Sequence, residues 1–89
     1  MLYMLINKTR KNLTSEQYQV LGKLAQDFYD NIPEGVTLHG DWAANDHSCT
    51  FALMEAENPK LLDTIQAPFK AYVNIEVVPV TAVTGWGKR

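Results

Sequence analysis

Eighty-nine residues make one domain, and a chain of this size buries only roughly 60–65% of its unfolded surface, so self-association is a ready way to thicken its core. A hydrophobic share of 46% beside a charged share of 20% is that of a globular domain and excludes disorder. With a formal net charge of −2 and no apolar run near ~18 residues, neither nucleic acid nor membrane is expected as a partner.

The chain opens directly on the strand-like Leu2 to Asn7 (LYMLIN), with no basic segment or small-residue cleavage site, so no signal peptide is expected. Cys49 stands alone, which excludes an internal disulfide and a cysteine-based metal framework. A reducing, cytoplasmic setting is the expectation. Leu2 to Asn7 is apolar on both sides and reads as a central strand. The polar Lys8 to Asn12 follows, either a solvated loop or an anion-binding rim.

Thr14 to Ile32 carries the strongest helical pattern. Thr14 and Gln17 have the spacing of a capping box, and Val20, Leu21, Leu24, Ala25, Phe28 and Ile32 form an apolar stripe. Gly22 interrupts the helix and is read as a point of close approach to the sheet. Pro33 and Gly35 end it.

Val36 to Ala44 and His47 to Glu55 read as a β-hairpin about Ala44-Asn45-Asp46-His47, Asn-Asp taking the tight turn. That turn places Trp42 opposite Cys49, Asp41 opposite Thr50 and His39 opposite Ala52. Strand alternation then predicts a helix-covered face of Leu38, Gly40, Trp42, Cys49, Phe51 and Leu53. It predicts an open face of Thr37, His39, Asp41, Thr50, Ala52 and Met54.

Asn58-Pro59 is a helix start, with Leu61, Leu62, Ile65 and Phe69 as its buried stripe. Pro68 predicts a break near Gln66-Ala67, with Phe69 to Tyr72 as a last turn. Asn74 to Val83 is a β-branched strand, with Pro79 at an edge or a bulge. Residues 84–89, containing Trp86, are read as a tail on a domain of residues 1–83.

The order β-α-β-β-α-β is that of a ferredoxin-like α+β fold, a four-stranded antiparallel sheet with two helices on one face. Its other face then lacks cover from its own chain. Tyr3, Leu5, Ala52, Met54, Val78 and Val80 are expected there, and a homodimer packed sheet to sheet would cover them.

The start MLYMLI, the segment PEGVTLHGDWAANDHSCTFALMEAENPKLL and the ending YVNIEVVPV together resemble a small bacterial family of uncharacterised proteins in the dimeric α+β barrel superfamily. A Trp on the second strand, a MEAENP-like exit into the second helix and an EVVPV-like last strand recur in that family. The resemblance runs from Met1 to about Val83 and implies the fold and the dimer. The superfamily spans isomerases, cofactor-free oxygenases, haem-degrading enzymes and plain ligand binders, so the resemblance brings no catalytic residues with it.

Candidate chemistry rests on His39 and Asp41. Two apart on a regular strand, they share a face about 7 Å apart, and an ionised Asp41 would raise the His39 pKa. On a cavity they make an acid/base pair, with Tyr3, Asn7, Thr50 and Glu76 as ligand-positioning neighbours. On a wet surface or a dimer seam they are ordinary polar residues. His47 reads as a turn residue, and it cannot share a metal ion with His39 within one chain. No glycine-rich phosphate loop is present, and no metal or cofactor is expected. Two readings stay open. The first is a homodimer that binds or processes a small organic molecule, of isomerase, lyase or cofactor-free oxygenase type if catalytic. The second is a non-enzymatic interaction protein whose sheet serves only for dimerisation.

Overall fold

The structure, a computed structural model, describes residues 1–83; the tail assigned to residues 84–89, with Trp86, lies outside them. The elements are β1 (Leu2–Thr9), α1 (Ser15–Asp30), β2 (Val36–Ala43), β3 (Thr50–Ala56), α2 (Pro59–Gln66) and β4 (Val73–Val80), with a 3-10 turn over Ala67–Phe69 after α2. The sheet order is β2-β3-β1-β4 and every neighbouring pair is antiparallel. The fold is thus the ferredoxin-like α+β arrangement expected from the element order. Among the described residues, no helix is long and apolar enough to cross a membrane.

The helix starts follow their caps. Thr14 Oγ1 accepts from the Gln17 N–H at 3.1 Å, and Gln17 Oε1 accepts from the Thr14 N–H at 2.8 Å. Two of the orphan N–H groups at the start of α1 are thereby satisfied. Asn58 Oδ1 accepts from the Lys60 N–H at 2.9 Å, with Pro59 opening α2. Pro68 has no N–H to continue the ladder, so α2 ends at Gln66 and the chain tightens into the 3-10 turn. The expected last turn over Phe69 to Tyr72 follows it, closed by the Tyr72 N–H on the Phe69 carbonyl at 2.9 Å.

Gly35 adopts φ +87°, and a Cβ there would stand 3.1 Å from Leu61 Cδ1 and 3.2 Å from Glu57 Oε2. Glycine therefore suits the turn into β2 on both counts. Gly22 differs from expectation. A Cβ there would meet nothing within 4 Å, so this glycine serves no close approach to the sheet.

The hairpin departs from its expected register twice. Its loop is longer than a two-residue turn. The His47 N–H bonds the Ala44 carbonyl at 2.9 Å, and the Ala44 N–H bonds the Cys49 carbonyl at 2.9 Å. His47, not Asn45 or Asp46, takes the left-handed conformation, at φ 62°. Asp46 Oδ1 accepts from the Ser48 N–H at 3.0 Å, and its bonds with Ser48 hold this carboxyl below its ordinary pKa. The pairing is displaced accordingly. Trp42 faces Phe51 rather than Cys49, and Asp41 faces Ala52 rather than Thr50.

The second departure is a β-bulge. Leu38 pairs with Met54 and Gly40 with Leu53, so His39 and Gly40 together oppose one residue of β3. A bulge resets alternation beyond it. Val36 and Leu38 point to the helices before it, and Asp41 and Ala43 do so after it. Gly40 and Trp42 are turned to the other side, where the Trp42 ring lies over Gly40. A strict period-2 reading keeps Leu38 and Trp42 together; the bulge separates them.

The covered face is therefore largely the reverse of the one expected, although Leu38 packs against the core and His39 lies on the open face as expected. Tyr3, Leu5, Ala52, Met54 and Ala56 are buried under the helices, against Leu62 and Ile65 of α2. They do not lie on the open face. Trp42, Phe51 and Leu53 do, with Leu2, Met4, Ile6, Val78 and Val80 as their register partners and neighbours. Val78 and Val80 lie where expected. Trp42 is 56% exposed, not a core residue beside Cys49.

Candidate functional site

α2 packs tightly: Leu62 is only 2% exposed. Helix α1 does not, since none of its residues is fully buried. Its apolar stripe stands off the sheet and roofs a cavity of about 460 Å³. That volume falls within the range of roughly 300–1,000 Å³ typical of small-molecule sites. Leu21, Ala25 and Phe28 of α1 form the roof. Leu5, Ala52 and Met54 are part of the sheet floor, and Ile65, Gln66 and Phe69 form the wall beside the α2 break. The lining is largely apolar, and apart from Thr9 its polar groups fall into three places.

At one edge, Asn7 Nδ2 donates to Thr50 Oγ1 at 3.3 Å. These two face each other across the β1–β3 pairing, so the register alone brings them together. A second polar point joins α1 to the edge strand β2, where the Tyr29 hydroxyl donates to Asp41 Oδ2. That bond, with burial and the Asp41 charge adding to it, pushes the Tyr29 pKa up to about 12. At neutral pH the pair is a phenol on a carboxylate, a hydrogen-bonding station and not an ionised base.

Third is Gln66. It is 5% exposed, and its Nε2 is buried without a hydrogen-bond partner among the described residues. Buried amides are normally paired, and an unpaired one costs about 1–3 kcal/mol.

The six residues expected to form a site are thus divided by the sheet. Asn7, Thr50 and Asp41 line the cavity. Tyr3 lies in the core, its hydroxyl 3.6 Å from Met1 Sδ. Glu76, opposite Ile6, and His39 are on the open face. The His39–Asp41 acid/base pair is not formed, because the bulge at His39 and Gly40 turns the two side chains to opposite sides. His39 Nε2 instead meets Glu55 Oε1 at 3.0 Å, both side chains well exposed.

Tyr29 and Gln66 were not anticipated. Gln66 left a trace in the sequence, since with Leu62, Ile65 and Phe69 it completes an i, i+3, i+4, i+7 stripe. A glutamine on that stripe marks a polar group carried into the interior. Among the described residues, no cluster of three or more metal-ligating side chains is present.

Residues 1–88 match the family described as Domain of unknown function (DUF3303). The chain belongs to this family. No protein of curated function matches the DUF3303 chain significantly. Among solved structures it is similar to SCO4226 from Streptomyces coelicolor A3(2), with a TM-score of 0.52 at 17% identity over 92% of this chain and 100% of that one. It is likewise similar to Rv0793 from Mycobacterium tuberculosis, with a TM-score of 0.52 at 11% identity over 96% of this chain and 100% of that one. At such identities the likeness shows that DUF3303 shares their fold, and nothing of its chemistry.

Proposed function

We propose that this DUF3303 protein binds a small, largely apolar organic molecule in the cavity between α1 and the sheet, and works as a homodimer joined through its open sheet faces. One observation carries the binding reading. A helix with a full apolar stripe is held off the sheet, leaving about 460 Å³ lined by apolar side chains, Thr9 and three polar stations. Packing normally closes such a space, because interiors are as dense as organic crystals. A cavity this large in a small domain is best accounted for by an occupant.

The cavity is on the helix side, so binding and dimerisation use opposite faces of the sheet. Leu2, Met4, Ile6, Phe51, Leu53, Trp42, Val78 and Val80 run across this face from one edge strand to the other, Trp42 exposed and the rest part-buried, and an apolar sheet face without cover calls for a partner. A second copy offers the same flat apolar surface, and two sheets packed face to face would cover both. The lone thiol of Cys49 suits a reducing compartment.

Isothermal titration with neutral bicyclic aromatics tests the binding reading. Binding to the parent chain that is lost in Ala25→Phe, which fills the roof of the cavity, is the expected result. Equal binding by both chains would place the ligand elsewhere and overturn it.

A further inference from the structure

We infer that the occupant is an uncharged aromatic molecule with a carbonyl acceptor, and that the cavity rejects carboxylates of the same size. This rests on the cavity being a binding site, as proposed above, and goes further by assigning its chemical selectivity.

Two observations converge. Among the described residues, no Lys, Arg or His lines the cavity, and Asp41 is the single acidic side chain on it. A carboxylate entering this space would lose its hydration, gain no cation from the described lining and meet the Asp41 charge at close quarters. Unpaired ionised groups are the costliest to bring out of water. The second observation is the amide of Gln66. Its nitrogen is buried, unpaired and on a side chain that lines the wall. The last torsion of a glutamine side chain is soft, so its amide turns readily to a partner entering from the cavity. Among uncharged acceptors a carbonyl oxygen, which carries two lone pairs and no donor of its own, suits an N–H donor best in an otherwise apolar wall.

Aromatic character follows from the walls. Phe28, Tyr29 and Phe69 all line the space, and the Phe28 and Tyr29 rings lie 5.5 Å apart with their planes tilted by 56°. Tilted rings at this separation present both edges and faces to a flat guest. Asn7, Thr50 and the Tyr29–Asp41 pair lie on other parts of the lining, where a second polar substituent would be met.

Three probes of nearly equal size separate the terms: 2-acetylnaphthalene, 2-ethylnaphthalene and 2-naphthoate. Their dissociation constants are measured at pH 7 by calorimetry on the whole chain, on Gln66→Leu and Gln66→Met, and on Ala25→Phe. The expected order is acetylnaphthalene tightest, ethylnaphthalene about tenfold weaker and naphthoate weaker still. In Gln66→Leu the preference for acetyl over ethyl should fall to within about twofold, with ethylnaphthalene itself still bound. Gln66→Met, close in length to glutamine, gives the same reading should the leucine variant fold poorly. Naphthoate binding as tightly as acetylnaphthalene overturns the inference while leaving the cavity as a binding site. An acetyl preference unchanged in folded Gln66 variants does the same. Failure of all three probes to bind the parent chain removes the binding reading itself, and the inference with it.

Discussion

The Tyr29 hydroxyl on α1 donates to the Asp41 carboxylate on β2, and this bond ties the last turn of the loosely packed helix to the edge of the sheet. It is worth most while Tyr29 keeps its proton. Folding raises the Tyr29 pKa from 10.0 to about 12, so the folded chain favours the protonated phenol. The contribution is whole below pH 10 and is lost as the pH rises from 10 through 12. With 49% of Tyr29 exposed, solvent screening holds it to about 0.5–1 kcal/mol. Urea unfolding of the parent chain and of Tyr29→Phe should therefore differ by that amount at pH 9 and converge near pH 12. A constant difference across this range would mean that ring packing, not the hydrogen bond, carries the effect.

Gly22 offers a gain in stability. It lies inside α1, exposed, with open space where a Cβ would go. Glycine loses more backbone freedom on folding than alanine does, and nothing here repays that loss. Gly22→Ala should raise the unfolding free energy by about 0.5–1 kcal/mol, read from the urea midpoint at unchanged slope. Leu62→Ala, at a position 2% exposed, should lower it by about 2–4 kcal/mol. Were Gly22→Ala destabilising, the outer side of α1 would be in contact with something beyond the single chain.

How much was legible in the sequence follows from how local each cause is. The helix starts at Thr14 and Asn58 and the break at Pro68 are set by one or two side chains acting on their own backbone, and they read directly. Fold order read equally well, because each element announced itself by its own periodicity. The sorting of the sheet faces did not. It depends on where the hairpin closes, and Ala44-to-Cys49 closure over a four-residue loop competes with the shorter Asn-Asp turn by small backbone energies. It depends also on the bulge at His39 and Gly40, which the residue types allow but do not demand. Two local choices of that kind sent Trp42, Phe51 and Leu53 outward and drew Ala52, Met54 and Tyr3 inward. The candidate site moved with them. Asn7, Thr50 and Asp41 passed to the helix side, while the tertiary partners Tyr29 and Gln66 could join them only once α1 and α2 were laid across the sheet.

The outward turn of Leu53 makes the dimer testable at one position. Leu53 lies on β3, one of the two inner strands, among Phe51, Met4 and Gly40. Its side chain points away from the helices, so a charge there leaves the monomer core intact. Leu53→Lys should convert a dimer in sedimentation velocity to a monomer, with a far-ultraviolet circular dichroism spectrum close to that of the parent. A parent chain that sediments as a monomer at 100 μM (about the concentration of a routine run) would sink the proposed sheet-to-sheet assembly. Cavity binding would then stand or fall separately, since it uses the other face.

His39 and Asp41, adjacent to the same bulge but on opposite sides of the sheet, should respond in opposite ways to a charged ligand. Asp41 faces the cavity, where its carboxylate repels an anionic guest. At a half-open mouth, water screens that repulsion to about 0.5–1 kcal/mol. Asp41→Asn should therefore tighten 2-naphthoate binding about two- to fivefold while changing acetylnaphthalene much less. His39→Ala removes the contact with Glu55 on the open face and should leave both affinities as they are. A dependence of ligand affinity on His39 as strong as that on Asp41 would mean that the two side chains act on one site, as regular strand alternation would place them, and that the bulge does not separate them in solution. Calorimetry of the two variants with the two naphthalene probes decides the point, because the charge effect of Asp41 must appear in the difference between anion and neutral analogue and not in either affinity alone.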